Sequence, residues 1–287
     1  MSLTLYLSVL LCESLCNSIL KTYTERHGGS QRGTGETRSC MNLLKSIIAW
    51  LIAICFIAVT FPLTLILWLI TLPFDKRRKI IHFFLTYQSL LLAFLIPIWT
   101  IRIEGREKAI KGTTYVIISN HQSILDILLI NCLRYKYKWI SKIENVKVPV
   151  IGWYLKMADY IIFNREDEDS KIEMLERSYI YLRNGISLMM FPEGTRSLTS
   201  EIGYFKRGAF QLAIQAKVPI LPVLLDGTGG ILPKHGLIFR SGHHIRIKVL
   251  EPVTPAMFGT ENPEDLARRM GELMTSRLKE LRSTNNT

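Results

Sequence analysis

A histidine and an aspartate five residues apart, directly after a run of β-branched residues, form the first arrangement in this chain that could move a proton. The segment is Asn120-His121-Gln122-Ser123-Ile124-Leu125-Asp126, and it follows Tyr115-Val116-Ile117-Ile118-Ser119. A carboxylate that holds one imidazole nitrogen fixes the tautomer and raises the basicity of the other, so His121 and Asp126 could together take a proton from a hydroxyl. Ser123 and Asp126 alone also make an ordinary helix-start pattern, S-x-x-D, which needs no chemistry. That pattern does not account for a polar Asn120-His121 where a strand ends and a helix N-terminus faces the loop. Ser123 as a hydrolytic nucleophile would be a rival, but it lacks the G-x-S-x-G turn.

A second constellation follows a second apolar run: Ile186 to Met190 leads into Phe191-Pro192-Glu193-Gly194-Thr195-Arg196-Ser197. Gly194 permits a tight turn, Glu193 can accept from hydroxyls, and the planar fork of Arg196 suits a phosphate. A plain strand-to-helix turn with solvated charges would use the same residues. Arg165, closing Tyr160-Ile161-Ile162-Phe163-Asn164-Arg165, is a second phosphate ligand or a solvated cation. Val218-Pro219-Ile220-Leu221-Pro222-Val223 is assigned shape rather than chemistry, its prolines suiting a strand start at a sheet edge.

These loops need elements to hold them, and the pattern after residue 100 supplies them. Strands are expected at 99–103, 115–119, 138–140, 160–163, 187–191, 220–225 and 244–250, and helices at 124–133, 170–183, 208–216 and 263–281. Such alternation predicts an α/β domain with a largely parallel sheet flanked by helices. Ligands in such sheets bind beyond the carboxyl ends of the strands, which is where the loops after Ser119, Phe163 and Phe191 lie.

Ahead of this domain the chain changes character. Residues 1–40 hold a short apolar stretch and then a polar, Gly- and Ser-rich segment, expected to be a poorly ordered extension that reads as dispensable or as a misassigned start. Ile47 to Leu72 is an apolar run of about 26 uncharged residues, longer than the roughly 20 that cross a bilayer core, with Pro62 expected to kink it. Asp75-Lys76-Arg77-Arg78-Lys79 follows, then a second, softer apolar stretch to Trp99. The organisation read here is 1–40 extension, 41–99 membrane-associated two-helix segment, and 100–287 catalytic domain.

Charge narrows the partners. Of 287 residues 21% are charged, with a net charge of +12, which implies an anionic partner. Nucleic acid is not expected, because no helix-turn-helix, zinc-finger or RNP-like pattern is present and the basic residues sit beside a greasy segment. A membrane surface fits better. Five cysteines without a C-x-x-C pair or a His cluster indicate neither a disulfide framework nor a metal site.

In this order and at these distances the four motifs resemble the glycerolipid acyltransferase family, specifically the 1-acyl-sn-glycerol-3-phosphate (lysophosphatidic acid) acyltransferases, over roughly residues 95–250. His121 to Asp126 matches the family's NHxSxxD block, Arg165 the arginine closing its second block, Phe191 to Ser197 matches FPEGTRS letter for letter, and Val218 to Val223 matches VPIxPV. Lys206-Arg207-Gly208 is similar to the basic-Gly pair after the third block, while Asn164 stands where an Asp is common. The resemblance implies that His121 deprotonates the sn-2 hydroxyl of lysophosphatidic acid as it attacks an acyl thioester, with Asp126 orienting and stabilising His121. No covalent intermediate or cofactor is required, acyl-CoA or acyl-carrier protein being a co-substrate. Glu193, with Gly194 and Thr195, would position the glycerol, Arg196 and Arg165 would hold the phosphate with help from Lys142, and backbone amides near Ser123 would stabilise the oxyanion. Other acceptors, such as another lysolipid or glycerol-3-phosphate, remain alternatives, as does a catalytically silent membrane scaffold. A soluble donor implies a cytoplasmic active site at a membrane, expected to be a bacterial inner membrane. Two full crossings with the basic cluster cytoplasmic would put the catalytic domain outside; either the first segment crosses once and the second lies at the interface, or, as preferred, the two form a hairpin in one leaflet.

Overall fold

The computed structural model describes residues 33–96, 98–240 and 243–283. The expected extension lies mostly outside the described residues. A long helix, α1 (Gly33–Thr71), runs through the end of the segment whose composition reads as linker, and Pro62 sits inside α1 without ending it. Its stretch Cys40–Thr71 is long and apolar enough to cross a membrane. A tight turn holding the basic cluster leads to α2 (Lys79–Leu95). Asp75 makes that turn by accepting Lys79 N and Ile80 N at 3.0 and 2.8 Å, satisfying amides that the start of α2 leaves open. Gln88 ties the two helices together, donating to Thr64 Oγ1 at 2.8 Å.

The domain that follows is a seven-stranded sheet in the order β1-β7-β6-β2-β5-β3-β4, with β1 (Trp99–Glu104), β2 (Val116–Ser119), β3 (Tyr137–Lys142), β4 (Ile161–Phe163), β5 (Ser187–Met190), β6 (Ile220–Asp226) and β7 (His243–Val249). Every neighbouring pair is parallel except β6 with β7. Between the strands come α3 (Leu125–Ile130), α4 (Ile151–Met157), α5 (Glu168–Arg183), α6 (Gly208–Ala216) and α7 (Thr228–Ile231), with α8 (Pro263–Ser283) closing the described chain. The central strands are buried on both faces, all four residues of β2 among them, which is why they are apolar runs rather than alternating patterns.

Each face of the sheet has its own core. One holds Ile117, Met189, Leu221 and Leu225 against α3 and the α1–α2 pair, through Leu129, Ile81 and Leu85. The other packs Val116, Ile118, Leu188 and Leu224 beneath α5, α6 and α8, through Met174, Phe210 and Met270. α5 begins two residues before the expected Ser170 because the Asp167 side chain accepts Asp169 N and Ser170 N and caps it.

One expectation is corrected. The proline-flanked β6 is not an edge strand; it lies between β2 and β7. Pro222 is tolerated there because the ladder with β7 begins one residue later, at Val223↔Val249, so the missing N–H falls where β7 has already ended. The Pro222 carbonyl still accepts Leu250 N at 2.9 Å.

Candidate active site

β2 and β5 are neighbours in register, with Ile118 opposite Met190, so the loops that follow them emerge side by side at the carboxyl edge of the sheet. Asn120 ends β2 by imitating a strand residue: its side chain donates to Leu225 O at 2.8 Å and accepts Leu225 N at 2.9 Å, fastening the loop to β6. The chain then turns His121 outward. His121 Nδ1 lies 2.8 Å from Asp126 Oδ2, and the same oxygen accepts Gln122 N and Ser123 N at 2.6 and 2.8 Å. The Asp126 side chain is fully buried and that of His121 is 14% exposed. Bonding to the carboxylate assigns the ring proton to Nδ1. Nε2 has no hydrogen-bond partner among the described residues and is the nitrogen free to act as a base.

The ring of His121 is stacked on Phe191, with centroids 3.9 Å apart and planes 8° from parallel. Trp139 on β3 supports Phe191 from 5.5 Å. A protonated imidazole over an aromatic face gains a cation–π attraction that a neutral one lacks, so this contact strengthens as His121 takes a proton.

Glu193 binds the two motif loops together. Its Oε1 accepts His121 N at 2.9 Å and its Oε2 accepts Gly203 N at 3.0 Å. Burial pushes its carboxyl above the usual range, against those two hydrogen bonds that favour the charged form. Ser197 N donates to His121 O at 2.7 Å, closing the same seam. Gly194 turns the loop at φ 68°, a left-handed conformation that glycine adopts without strain. Arg165 reaches across from the end of β4 and donates to Gly194 O at 2.7 Å, while its Nε is buried without a partner.

A set of cations surrounds the loop. Lys234, from the chain after α7, donates to Thr195 Oγ1 at 3.1 Å. Burial, reinforced by the charges of Arg165, Lys206 and Lys234, lowers the Lys142 ammonium below its ordinary pKa. The Lys142 and Arg196 side chains have no hydrogen-bond or ion-pair partner among the described residues. Glu144 opposes these cations at Lys142, but positive charge outweighs it around the loop, which is what a doubly charged phosphate needs. Among the described residues no group of three or more His, Cys, Asp or Glu side chains is placed to hold a metal.

Residues 100–226 match the family model described as Acyltransferase. The chloroplastic 1-acyl-sn-glycerol-3-phosphate acyltransferase BAT2 of Brassica napus is 34% identical over 208 residues, which cover 70% of this chain and 60% of that protein. The human 1-acyl-sn-glycerol-3-phosphate acyltransferase alpha is 31% identical over 196 residues, which cover 67% of this chain and 69% of the human one. The chain belongs to the 1-acyl-sn-glycerol-3-phosphate acyltransferase family. The crystal structure of the 1-acyl-sn-glycerophosphate (LPA) acyltransferase PlsC from Thermotoga maritima matches with a TM-score of 0.71 at 26% identity, over 85% of this chain and 98% of that one. The chain spans 60%, 58% and 51% of the lengths of the Brassica, Chlamydomonas and Arabidopsis family members.

Set against this family's motif residues, the structure brings His121, Asp126, Glu193, Gly194, Thr195, Arg165 and Lys142 to one sheet edge, and Arg196 follows Thr195 in the same loop. Two expectations change in detail. The oxygens of Glu193 hold backbone amides, so its place here is that of a brace between loops. The amides of Gln122 and Ser123 are taken by Asp126 and are not free for an oxyanion. Ser123 Oγ donates to Leu232 O at 2.7 Å from a fully buried position, which removes it as a nucleophile. Phe191 and Lys234 were not singled out from sequence as site residues. Phe191 stood in the motif as an apolar letter, and Lys234 carries no local signal at all.

Proposed function

We propose that this family member transfers an acyl chain from a thioester donor to the free hydroxyl of lysophosphatidic acid, giving phosphatidic acid. The observation that carries the reading is the 2.8 Å pair of His121 Nδ1 and Asp126 Oδ2, which leaves Nε2 open at the sheet edge where Lys142, Arg165 and Lys234 also gather. His121 Nε2 takes the proton of the attacking hydroxyl as its oxygen bonds to the thioester carbonyl carbon. The C–S bond then breaks, and the imidazolium returns the proton to the leaving thiolate. Asp126 and Phe191 stabilise the imidazolium that exists between those steps. Lys142, Arg165, Arg196, Lys206 and Lys234 hold the acceptor's phosphate, and the two bonds of Glu193 keep the loops of His121 and Thr195 in register. Coenzyme A and acyl-carrier protein both supply the required thioester.

The α1–α2 pair supports a site at a bilayer surface. α1 touches the catalytic domain along its length: Phe239 N donates to Ser46 Oγ at 2.7 Å, Trp50 Nε1 donates to Leu237 O at 2.8 Å, and Phe61 packs on Trp153 with centroids 5.1 Å apart. Trp68 packs against the core cluster that α2 shares with the domain. From Ser46 to Phe61 is roughly 22 Å of helix, most of the thickness of a bilayer's hydrocarbon. A full crossing by α1 would therefore drag the domain into the lipid. The opposite faces carry exposed apolar stripes, including Ile80, Phe83, Tyr87, Leu91 and Phe94 on α2, which suit hydrocarbon. The pair reads as a hairpin in one leaflet, with the catalytic domain on the cytoplasmic side where soluble donors are found.

The test is acyl transfer from oleoyl-coenzyme A to lysophosphatidic acid by membranes carrying the wild type or His121→Ala. Transfer in the wild type and its loss in the variant support both the reaction and its base. A wild type inactive with both coenzyme A and carrier-protein donors would sink the reading.

A further inference from the structure

The hairpin is not the only apolar surface on its side of the molecule. Two loops of the catalytic domain dock against α1, and each carries an exposed apolar tip with basic flanks. The first is Lys147-Val148-Pro149-Val150-Ile151-Gly152-Trp153, between β3 and the start of α4. Val148, Ile151 and Trp153 are 43%, 40% and 54% exposed, and Trp153 packs on Phe61 of the hairpin. Lys147 on one side and Lys156 on the other are also exposed.

This loop is held in shape rather than collapsed. Ile151 N donates to Pro149 O at 2.7 Å around Val150, whose φ of 66° and ψ of −51° are a conformation that a β-branched residue adopts only under constraint. Gly152 backs onto the Val146 carbonyl so closely that no Cβ would fit, so the turn cannot relax by moving the chain outward. Its apolar side chains are thereby presented to the exterior instead of folding onto the core.

The second loop, Lys234-His235-Gly236-Leu237-Ile238, leaves Leu237 and Ile238 74% and 48% exposed. It is pinned to the other end of α1, where Leu237 O accepts Trp50 Nε1 and Phe239 N donates to Ser46 Oγ. Lys234 and Arg240 supply its charge. The anchoring points at Trp50 and Phe61 are roughly 16 Å apart along the helix. Lys142, just before the first loop, and Lys234, which opens the second, both belong to the cation set of the active site, so the two loops bracket its mouth.

An apolar tip between cations, continuous with a lipid-facing stripe, fits an anionic phospholipid leaflet better than a folded protein partner. We propose that residues 147–153 and 234–240 insert their tips into the same leaflet as the hairpin, forming with α1 a rim around the site mouth. The inference rests on the leaflet-inserted reading of the hairpin given above. The rim presents the site directly to lipid, so a lysophospholipid reaches His121 without leaving the bilayer.

The test uses the full chain, with a single cysteine carrying nitrobenzoxadiazole and its other cysteines replaced by alanine, on vesicles of phosphatidylcholine and phosphatidylglycerol. The labelled positions are Val148→Cys, Leu237→Cys, the native exposed Cys55 on α1, and Ile180→Cys on α5, which packs on the opposite face of the sheet. Emission at positions 148, 237 and 55 is expected to shift to the blue and rise several-fold when vesicles are added, with quenching by brominated acyl chains, while position 180 stays as in water. If Cys55 responds but either loop label behaves like position 180, the rim is wrong and the hairpin stands. That is also the outcome if a soluble protein is the true occupant of the loops. If Cys55 itself does not respond, the hairpin reading fails and takes the rim with it.

Discussion

Asp126 gathers three N–H groups on one oxygen: the ring of His121 and the amides of Gln122 and Ser123. Its other oxygen is buried without a partner among the described residues. The charge of this carboxylate is fully matched only when the imidazole of His121 carries a proton. An interaction that strengthens in the transition state lowers the barrier rather than merely tightening substrate binding. Asp126→Asn keeps an oxygen able to accept these bonds, removes the charge and puts an NH2 where the unpartnered Oδ1 lies. We expect the variant to keep its circular dichroism spectrum and the KM of lysophosphatidic acid while kcat falls roughly 10²–10⁴-fold. A kcat within a few-fold of wild type would take the charge out of the mechanism. The pair itself was legible in the sequence because its two members are local, but the stack on Phe191 was not, since it exists only because β5 pairs with β2.

The strands were legible to within one or two residues, since buried parallel strands are short β-branched runs bounded by polar turns. Their order was not. β6 was expected at an edge from its prolines and lies inside the sheet, because a missing donor matters only where a partner strand would have used it. Asn120 makes that neighbourhood necessary: its side chain continues the β2–β6 seam after β2 has ended. Truncation would leave Leu225 N and O buried and unpaired. Asn120→Ala is therefore expected to lower stability by about 2–6 kcal/mol, at roughly 1–3 kcal/mol per unsatisfied group, read as a reduced melting temperature in mild detergent. An unchanged melting temperature would mean that the seam is held by the strands alone.

Over the whole molecule, charge is the quantity that local reading misses most. Lys142, Arg165, Lys206 and Lys234 come from four separate segments and meet around one loop. Burial first, then the neighbouring cations, lowers the pKa of Lys142, so it sheds its proton at a lower pH than an ordinary lysine and loses its attraction for phosphate earlier as pH rises. The KM for lysophosphatidic acid should then climb on the alkaline side. Lys142→Arg, which stays charged throughout, should move that climb to higher pH with kcat little altered. An alkaline limb that does not move would assign it to another group.

The chain's own order determined which residues could do chemistry and where the strands, the longer helices and the apolar segment lie, because those properties depend on neighbours within a few positions: a His and an Asp five apart, an apolar run long enough for a bilayer. Only the tertiary structure decided what each motif residue touches. It made Glu193 a brace between loops, put Phe191 beneath the imidazole, drew Lys234 to Thr195 and laid α1 along the domain. These contacts join residues from 39 to 187 positions apart. Pairings at that distance are set by sheet order and by which faces must be buried together, and no local pattern encodes either.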